Sequence, residues 1–255
     1  MKLIILAAGK GTRLYPLTRN RPKLLIELDN GVTLIERQME MLSQSQVIDE
    51  VVYVVGYLGA RVEKKVVELS KKFNLNARCI FNPFFDVSNN LASLWLARAE
   101  LQENCLITNG DNLFAPAVFK TLDKVKDDGI HITINFKNDY DDDDMKVIID
   151  DLRMLQAIGK DLPVEETNAE SVGLVKVLGK EYVNSFVDIL EELIRNEEKI
   201  NSFWLESFNH LHSTGLPIST VEIDGDGQWQ EVDFHLDVKL AREMIIGQTN
   251  KFLEE

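Results

Sequence analysis

Short apolar runs alternate with amphipathic stretches through the first half of the chain. Residues 3–6, 51–55, 77–81, 105–108 and 130–136 are dense in apolar side chains and read as strands. Between them, 60–73, 90–101 and 115–126 carry apolar positions at helical spacing. Strands and helices taking turns in this way predict a sheet of parallel strands covered by helices. The first helix is expected to start at Thr33, with Glu36 three positions on, the spacing of a capping box.

After residue 136 the pattern changes. Residues 146–149 and 153–158 flank Asp150-Asp151 and predict a hairpin, and 171–177 a further strand. Helical patterns at 181–196 and 202–213 precede a strand at 218–223, a turn at 224–227, a strand running into 230–233 and a last helix at 238–246. No repeat or linker interrupts the chain. The expected architecture is therefore α/β, a Rossmann-like mixed but mostly parallel sheet in a single domain over 1–255, with a small cap formed by the second half.

Candidate chemistry begins where the first strand stops. Leu6 leads into Ala7-Ala8-Gly9-Lys10-Gly11-Thr12-Arg13-Leu14-Tyr15-Pro16-Leu17-Thr18, followed by Asn20-Arg21-Pro22-Lys23. Small residues after a strand let backbone approach a ligand, and successive N–H groups in such a loop form an anion cradle. Lys10, Arg13 and Lys23 add charge-assisted donors, so phosphate is the expected guest. Leu14 stands where a dinucleotide fingerprint needs its third glycine, and the Walker pattern is absent.

In open α/β sheets ligands bind beyond the carboxyl ends of the strands, so the loop after Leu6 and the one after Thr108 should share a crevice. The second of these, Asn109-Gly110-Asp111-Asn112, offers a carboxylate suited to Mg²⁺, an ion usually held by one or two carboxylates together with substrate phosphates. Asp233 is the expected second ligand, with Glu231 on the same strand face as an alternative.

The pattern G-x-G-x-R-x-x-P-x-T followed by P-K, with Gly-Asp after the fourth strand and a late Glu-x-Asp, resembles the nucleotidyltransferase superfamily over essentially the whole chain. Hexose-phosphate members carry Gln-x-x-Pro-x-Gly-x-Ala after the third strand. Here that segment reads Asn82-Pro83-Phe84-Phe85-Asp86-Val87-Ser88-Asn89-Asn90-Leu91-Ala92-Ser93-Leu94, which resembles phosphocholine cytidylyltransferases and relatives acting on phosphonates, phosphoglutamine or inositol phosphate. The resemblance implies transfer of CMP from CTP to a small phosphorylated or phosphonate acceptor, with release of pyrophosphate. Residues 1–137 would form the nucleotide-binding core, and 138–255 the acceptor-binding cap and final core elements.

Carried over position by position, the resemblance implies that Arg13 holds the pyrophosphate and Lys23 bridges the α-phosphate and the acceptor. Leu6, Ala7, Ala8, Gly9, Lys10, Gly11, Thr12, Asn82 and Asn109 would bind the nucleotide. Asn89, Asn90, Glu170, Trp204 and Glu206 would line the acceptor pocket, and Asp111 and Asp233 would hold Mg²⁺. A sugar 1-phosphate enzyme using another nucleotide, and a non-catalytic nucleotide-sensing subunit, are the competing readings.

Composition narrows the partners. Hydrophobic residues make up 45% and charged residues 27%, and no apolar run approaches the ~18 residues of a membrane span. A formal charge of −14 argues against nucleic acid, whose binding rests on neutralising many phosphates. With no signal-like amino terminus, the expected location is the cytoplasm; a homodimer stays open. Cys79 and Cys105 fall in strands and read as small core residues. His210 and His212 would lie on different helix faces, unsuited to joint metal ligation, and Asp139 to Asp144 reads as a solvated, self-repelling loop.

Overall fold

The apolar run ahead of the glycine-rich loop forms β1 (Lys2–Ala7), whose four central side chains are buried on both faces of a sheet. The computed structural model describes residues 1–102, 104–196, 199–223 and 227–241. A small ribbon of β2 (Glu27–Asp29) and β3 (Val32–Thr33) follows β1, then α1 (Leu34–Ser45), β4 (Glu50–Val55), α2 (Gly59–Phe73) and β5 (Asn76–Phe81). Next come α3 (Asn90–Leu96), β6 (Asn104–Asn109), β7 (Asn112–Phe114), α4 (Pro116–Asp123) and β8 (Gly129–Asn135). The second half contributes β9 (Lys146–Ile149), β10 (Leu155–Gly159), β11 (Ala169–Leu178), α5 (Lys180–Ile194), α6 (Ser207–Ser213), β12 (Ile218–Glu222) and β13 (Trp229–Glu231).

Among the described residues the central sheet has nine strands, with β5, β4, β1 and β6 parallel in that order. β11 enters antiparallel beside β6, and β8 lies antiparallel to β11, so β8 again runs with β6; β12 then pairs parallel with β8. The sheet is thus mixed and mostly parallel, as the alternation of elements predicts. The β9–β10 hairpin joins the start of β11 through Ala169 and Glu170.

β11 can serve these several neighbours because its register shifts between Ser171 and Val175, around Gly173 at φ 73°. A Cβ there would stand 2.7 Å from Asn112 Nδ2, so glycine is required for conformation and for space.

Each face of the sheet is covered. On one side Leu3, Ile5, Val51 and Tyr53 pack with α1, α2 and α4; on the other Ile4, Val52, Ile107 and Val175 pack with α3, α5 and α6. Helix α2 shows the cause in its sequence, turning Val62, Val66 and Leu69 inward.

Local expectations gave way to tertiary contacts in a few places. The capping box at α1 is not formed: the Thr33 hydroxyl has no partner, and Glu36 is drawn to Lys72 at 2.6 Å and Lys65 at 3.6 Å on α2. The helix expected over 90–101 leaves α3 at Leu96 and continues as a 3₁₀ turn, Arg98–Glu100, as Arg98 stacks over the Trp95 ring at 4.1 Å and pairs with Glu191. The expected 202–213 helix begins as a 3₁₀ turn, Trp204–Glu206, before α6. Residues 235–241 are helical; residues 224–226 of the expected turn and 242–246 of the expected last helix lie outside the described residues. Cys105 is buried and Cys79 half-buried, and both are free thiols. No helix among the described residues is long and apolar enough to cross a membrane.

Candidate active site at the carboxyl ends of the parallel strands

The carboxyl ends of β1 and β6 open on a crevice of about 380 Å³, within the size range of small-molecule sites. Its first wall is the loop after β1, where Leu6, Ala7, Ala8, Gly9, Gly11, Thr12 and Arg13 line the space. Gly11 takes φ 62°, and Thr18 Oγ1 donates to its carbonyl at 2.6 Å, which closes the loop. The loop's own turn begins with Leu14 N–H donating to the Gly11 carbonyl at 3.1 Å, leaving the N–H groups of 9–12 outside that turn. A Cβ on Gly9 would meet nothing within 4 Å, so the space there is free for a ligand.

Opposite stands Asp111, brought close by Gly110. Its N–H donates to the Leu6 carbonyl at 2.8 Å, and a Cβ on it would lie 2.5 Å from Ala7 Cβ. A short ladder between β7 and β13 then delivers the second acid. Glu231 pairs with Asn112 and Val232 N–H donates to the Asp111 carbonyl at 2.9 Å, so Asp233 follows directly beside Asp111. Asp237 fixes the turn beyond it, accepting from the N–H groups of Asp233 at 2.8 Å and Phe234 at 2.6 Å.

Lys23 reaches between the two acids, donating to Asp111 Oδ2 at 2.9 Å and Asp233 Oδ1 at 2.7 Å. Burial pulls its ammonium down, but the carboxylates of Asp111 and Asp233 outweigh that and the net shift is upward. Asp233 shows the converse: burial alone would raise its carboxyl, yet Lys23 and Arg13 hold it below the usual range. Arg13 also pairs with Asp233, which raises the guanidinium further, and it lies 5.6 Å over the Phe234 ring. Glu231 opens onto the same crevice. Desolvation by the walls, together with the charges of Asp111 and Asp233, pushes its carboxyl up to about 8.

These residues fit a Mg²⁺ ion. Two carboxylates already converge on one cationic nitrogen, and Asp111 Oδ1 is buried without a hydrogen-bond partner. Among the described residues no group of three or more His, Cys, Asp or Glu side chains is placed to hold a metal on its own. Two acids with open positions suit an ion that keeps waters and substrate oxygens.

The far wall comes from α3 and the second half. Asn90 Nδ2 donates to Asn109 Oδ1 at 3.3 Å, Trp204 N–H donates to Asn90 Oδ1 at 2.9 Å, and Trp204 Nε1 donates to Asn109 Oδ1 at 2.8 Å. Asn89 and Asn90 line the crevice, and Asn89 Nδ2 also donates to the Asn201 carbonyl at 3.1 Å. Glu170, at the start of β11, lines it too. Lys137 at 2.8 Å and Asn135 at 2.9 Å bond its carboxyl, but burial prevails and raises it.

Four expected site residues stand elsewhere. Lys10 turns away to pair with Asp86. Asn82 is fully buried: its amide donates to Ser93 Oγ at 3.0 Å and accepts from Phe84 N–H at 2.8 Å, so no edge remains for a base. Trp204 is also fully buried, packed edge-on against Phe208, and it braces Asn109 without lining the crevice. Glu206 faces an adjoining pocket of about 250 Å³, where burial raises its carboxyl against the pull of Lys199.

Other crevice residues escaped the sequence reading. Phe203, one position before Trp204, presents its ring beneath Lys160 at 5.6 Å, and both border the crevice and the adjoining pocket. Asp143 and Asp144 line the crevice as well, so the acidic run is not wholly solvated. His131 and His235 gain partners that only the fold reveals: His131 bonds Ser219 Oγ at 2.6 Å and the Asp127 carbonyl at 3.0 Å, and His235 the Tyr15 carbonyl at 3.0 Å.

Comparison with known proteins adds relatives to this geometry. The Nucleotidyl transferase family model matches residues 2–188. Choline-phosphate cytidylyltransferase of Streptococcus pneumoniae is 38% identical over 120 residues, spanning 47% of the chain and 48% of that relative's length. CTP:phosphoglutamine cytidylyltransferase of Campylobacter jejuni is 23% identical over 95% of the chain and 100% of its own length. The solved structure of CTP:phosphocholine cytidylyltransferase from Streptococcus pneumoniae shares the fold with a TM-score of 0.72 at 24% identity, covering 96% of this chain and 98% of that one.

Proposed function

Because the chain belongs to the Nucleotidyl transferase family, we propose that it is a cytidylyltransferase, Mg²⁺-dependent, which moves CMP from CTP to a small phosphorylated or phosphonate acceptor and releases pyrophosphate. One observation carries the proposal. Lys23 stands between Asp111 and Asp233 while Arg13 stands at the glycine loop, so the chain gathers its cations and its metal-type acids around one crevice. Cytidine as the base follows the relatives named for CTP, and the asparagine-rich wall in place of a hexose-type segment favours a phosphocholine-like acceptor. The chain is read as one domain, with 1–137 holding the nucleotide and 138–255 completing the acceptor side.

The reaction is attack of an acceptor oxygen on the α-phosphorus of CTP. The second ionisation of a phosphate monoester lies near pH 6, about that of phosphorylated side chains, so no strong base is required. What the site must supply is alignment of two mutually repelling anions and neutralisation of their charge. Asp111 and Asp233 would hold Mg²⁺, which supplies charge neutralisation when bound. Lys23 then bridges the α-phosphate and the acceptor, and Arg13 holds the pyrophosphate. Ala7, Ala8 and Gly9 leave the nucleotide room.

On the acceptor side, Asn89, Asn90 and Glu170 face the crevice, and Glu206 supplies a half-buried carboxylate to the adjoining pocket for a cationic head group. Asn82 and Trp204 serve by positioning α3 and Asn109.

A catalytically silent sensor would have no need to keep Arg13, Lys23, Asp111 and Asp233 together in one crevice. The test is pyrophosphate release with each nucleoside triphosphate against phosphocholine, phosphonates, phosphoglutamine and sugar phosphates. Release with CTP and a phosphocholine-like acceptor is expected. Release with a sugar 1-phosphate and another nucleotide would move the chain to the sugar branch, and CTP binding without any release would favour the sensor.

A further inference from the structure

We propose that Asp143 is a latch at the mouth of the crevice: it pairs with Arg13 and Lys160, and polyphosphate entering or leaving competes with it for those cations. The inference rests on the proposed triphosphate site, because it takes Arg13 as a phosphate-binding group.

The acidic run lies on the connection from β8 to β9, and its geometry divides it into an anchor and a tongue. Asp144 is the anchor. Its carboxylate accepts from Lys137 Nζ at 2.6 Å and from Asp141 N–H at 2.7 Å, and its carbonyl accepts from Lys146 N–H at 3.0 Å. Asp141 in turn accepts from Asp143 N–H at 2.9 Å. With the loop held by these bonds, the Asp143 side chain projects to the crevice, its Oδ1 standing 3.5 Å from Arg13 and 3.9 Å from Lys160 Nζ.

The far post of the latch is itself held. Lys160 Nζ donates to the Asp143 carbonyl at 2.7 Å, and the carbonyl of Lys160 accepts from the buried ammonium of Lys146 at 2.5 Å. Lys23 is occupied by Asp111 and Asp233, and Arg13 already pairs with Asp233; Asp143 adds a second, longer contact to Arg13 and one to Lys160, and these are the crevice cations it screens.

Strength decides what such a contact can do. The side chain of Asp143 is 58% exposed and its contacts are long, which places the pairing among screened surface ion pairs, worth no more than about fivefold in an equilibrium. A tight, buried bridge would shut the crevice. A weak one yields to a polyphosphate carrying several charges, then re-pairs with Arg13 as pyrophosphate departs, which eases product release.

The test is calorimetric titration of inorganic pyrophosphate with Mg²⁺ into the wild-type chain, Asp143→Asn and Asp142→Asn. Asp142 is exposed, so its variant removes the same charge from the same loop without touching Arg13 or Lys160. Asp143→Asn should bind pyrophosphate about two- to fivefold more tightly, the range a surface ion pair allows, and Asp142→Asn should gain clearly less. Equal gains in both variants, or unchanged or weaker binding in Asp143→Asn, would overturn the latch while leaving the triphosphate site standing. If wild type binds no pyrophosphate, the triphosphate reading fails and the latch with it.

Discussion

Asp111 and Asp233 face each other across the ammonium group of Lys23, whose nitrogen stands 2.9 Å from the first and 2.7 Å from the second. The β7–β13 ladder creates this meeting, because pairing of Glu231 with Asn112 carries the next turn of chain beside Asp111. A cation therefore already separates two acids that would otherwise repel.

Removing that cation should have two effects of opposite kind. Lys23→Ala is expected to lower turnover by about 10²- to 10³-fold, the scale on which a transition-state charge donor acts. It should also bind Mg²⁺ more tightly than wild type without nucleotide, because the ammonium no longer competes for the two carboxylates. Steady-state kinetics and calorimetric Mg²⁺ titration check the pair; an unchanged rate would sink the assigned role.

Asp111→Asn keeps the shape of the site and removes half of its acid pair. Lys23 retains Asp233, so the fold should persist. The Mg²⁺ concentration giving half-maximal activity should rise by about tenfold or more, since affinity of such sites follows the number of charged oxygen ligands. An unaltered Mg²⁺ profile would remove Asp111 from the metal site.

Gly110→Ala probes the close approach of the two loops. The new Cβ would stand 2.5 Å from Ala7 Cβ and 2.9 Å from Ala7 Cα, where neither neighbour can move without shifting β1. A loss of about 1–3 kcal/mol in urea unfolding is expected, as for other overpacked sites. A neutral result would mean that the loops are less tightly apposed.

The strand of β1, the glycine loop and the crevice positions of Asp111 and Asp233 were legible because each rests on local chemistry: a buried apolar run, a positive φ at Gly11, carboxylates after strand ends. What escaped depends on contacts between distant segments. The segment after residue 202 begins as a 3₁₀ turn, and a shift of one position decides that Phe203 meets the crevice while Trp204 is buried. Asn82 looks free in sequence, but Ser93 on α3 takes its amide. Charge patterning alone sends all of Asp139 to Asp144 to solvent, and only the anchoring of Asp144 turns Asp143 toward Arg13. Glu36, placed well for a cap, finds stronger partners in two lysines of α2.

Trp204→Phe retains most of the buried bulk and deletes one bond, from Nε1 to Asn109 Oδ1 at 2.8 Å. A stability loss of about 1 kcal/mol is expected from the missing hydrogen bond and the partner left behind. With Asn109 less firmly held, the KM for CTP should rise more than kcat falls. A change confined to stability would limit Trp204 to the core.

His131 supplies a pH dependence of stability. Burial lowers its pKa from the ordinary 6.5, against the pull of the Asp127 carbonyl. Below 6.5 the unfolded chain gains a proton that the folded chain resists, so this contribution is complete above 6.5 and declines as the pH falls toward the lowered value. His131→Gln should flatten the decline seen in chemical unfolding as the pH falls below 6.5. An equal slope in variant and wild type would contradict the assignment.

Lys23, Arg13, Asp111 and Asp233 are the proposed donor half of a CMP-transfer site. CTP labelled at its α-phosphate, incubated with Mg²⁺ and phosphocholine, tests it most directly by following where the label goes. The label should enter a CMP-acceptor phosphoanhydride, in equal amount to the pyrophosphate released, and Lys23→Ala should lower both by about 10²- to 10³-fold. Label left entirely in CTP across phosphocholine, phosphonate and phosphoglutamine acceptors, or anhydride formed equally well by Lys23→Ala, would contradict it.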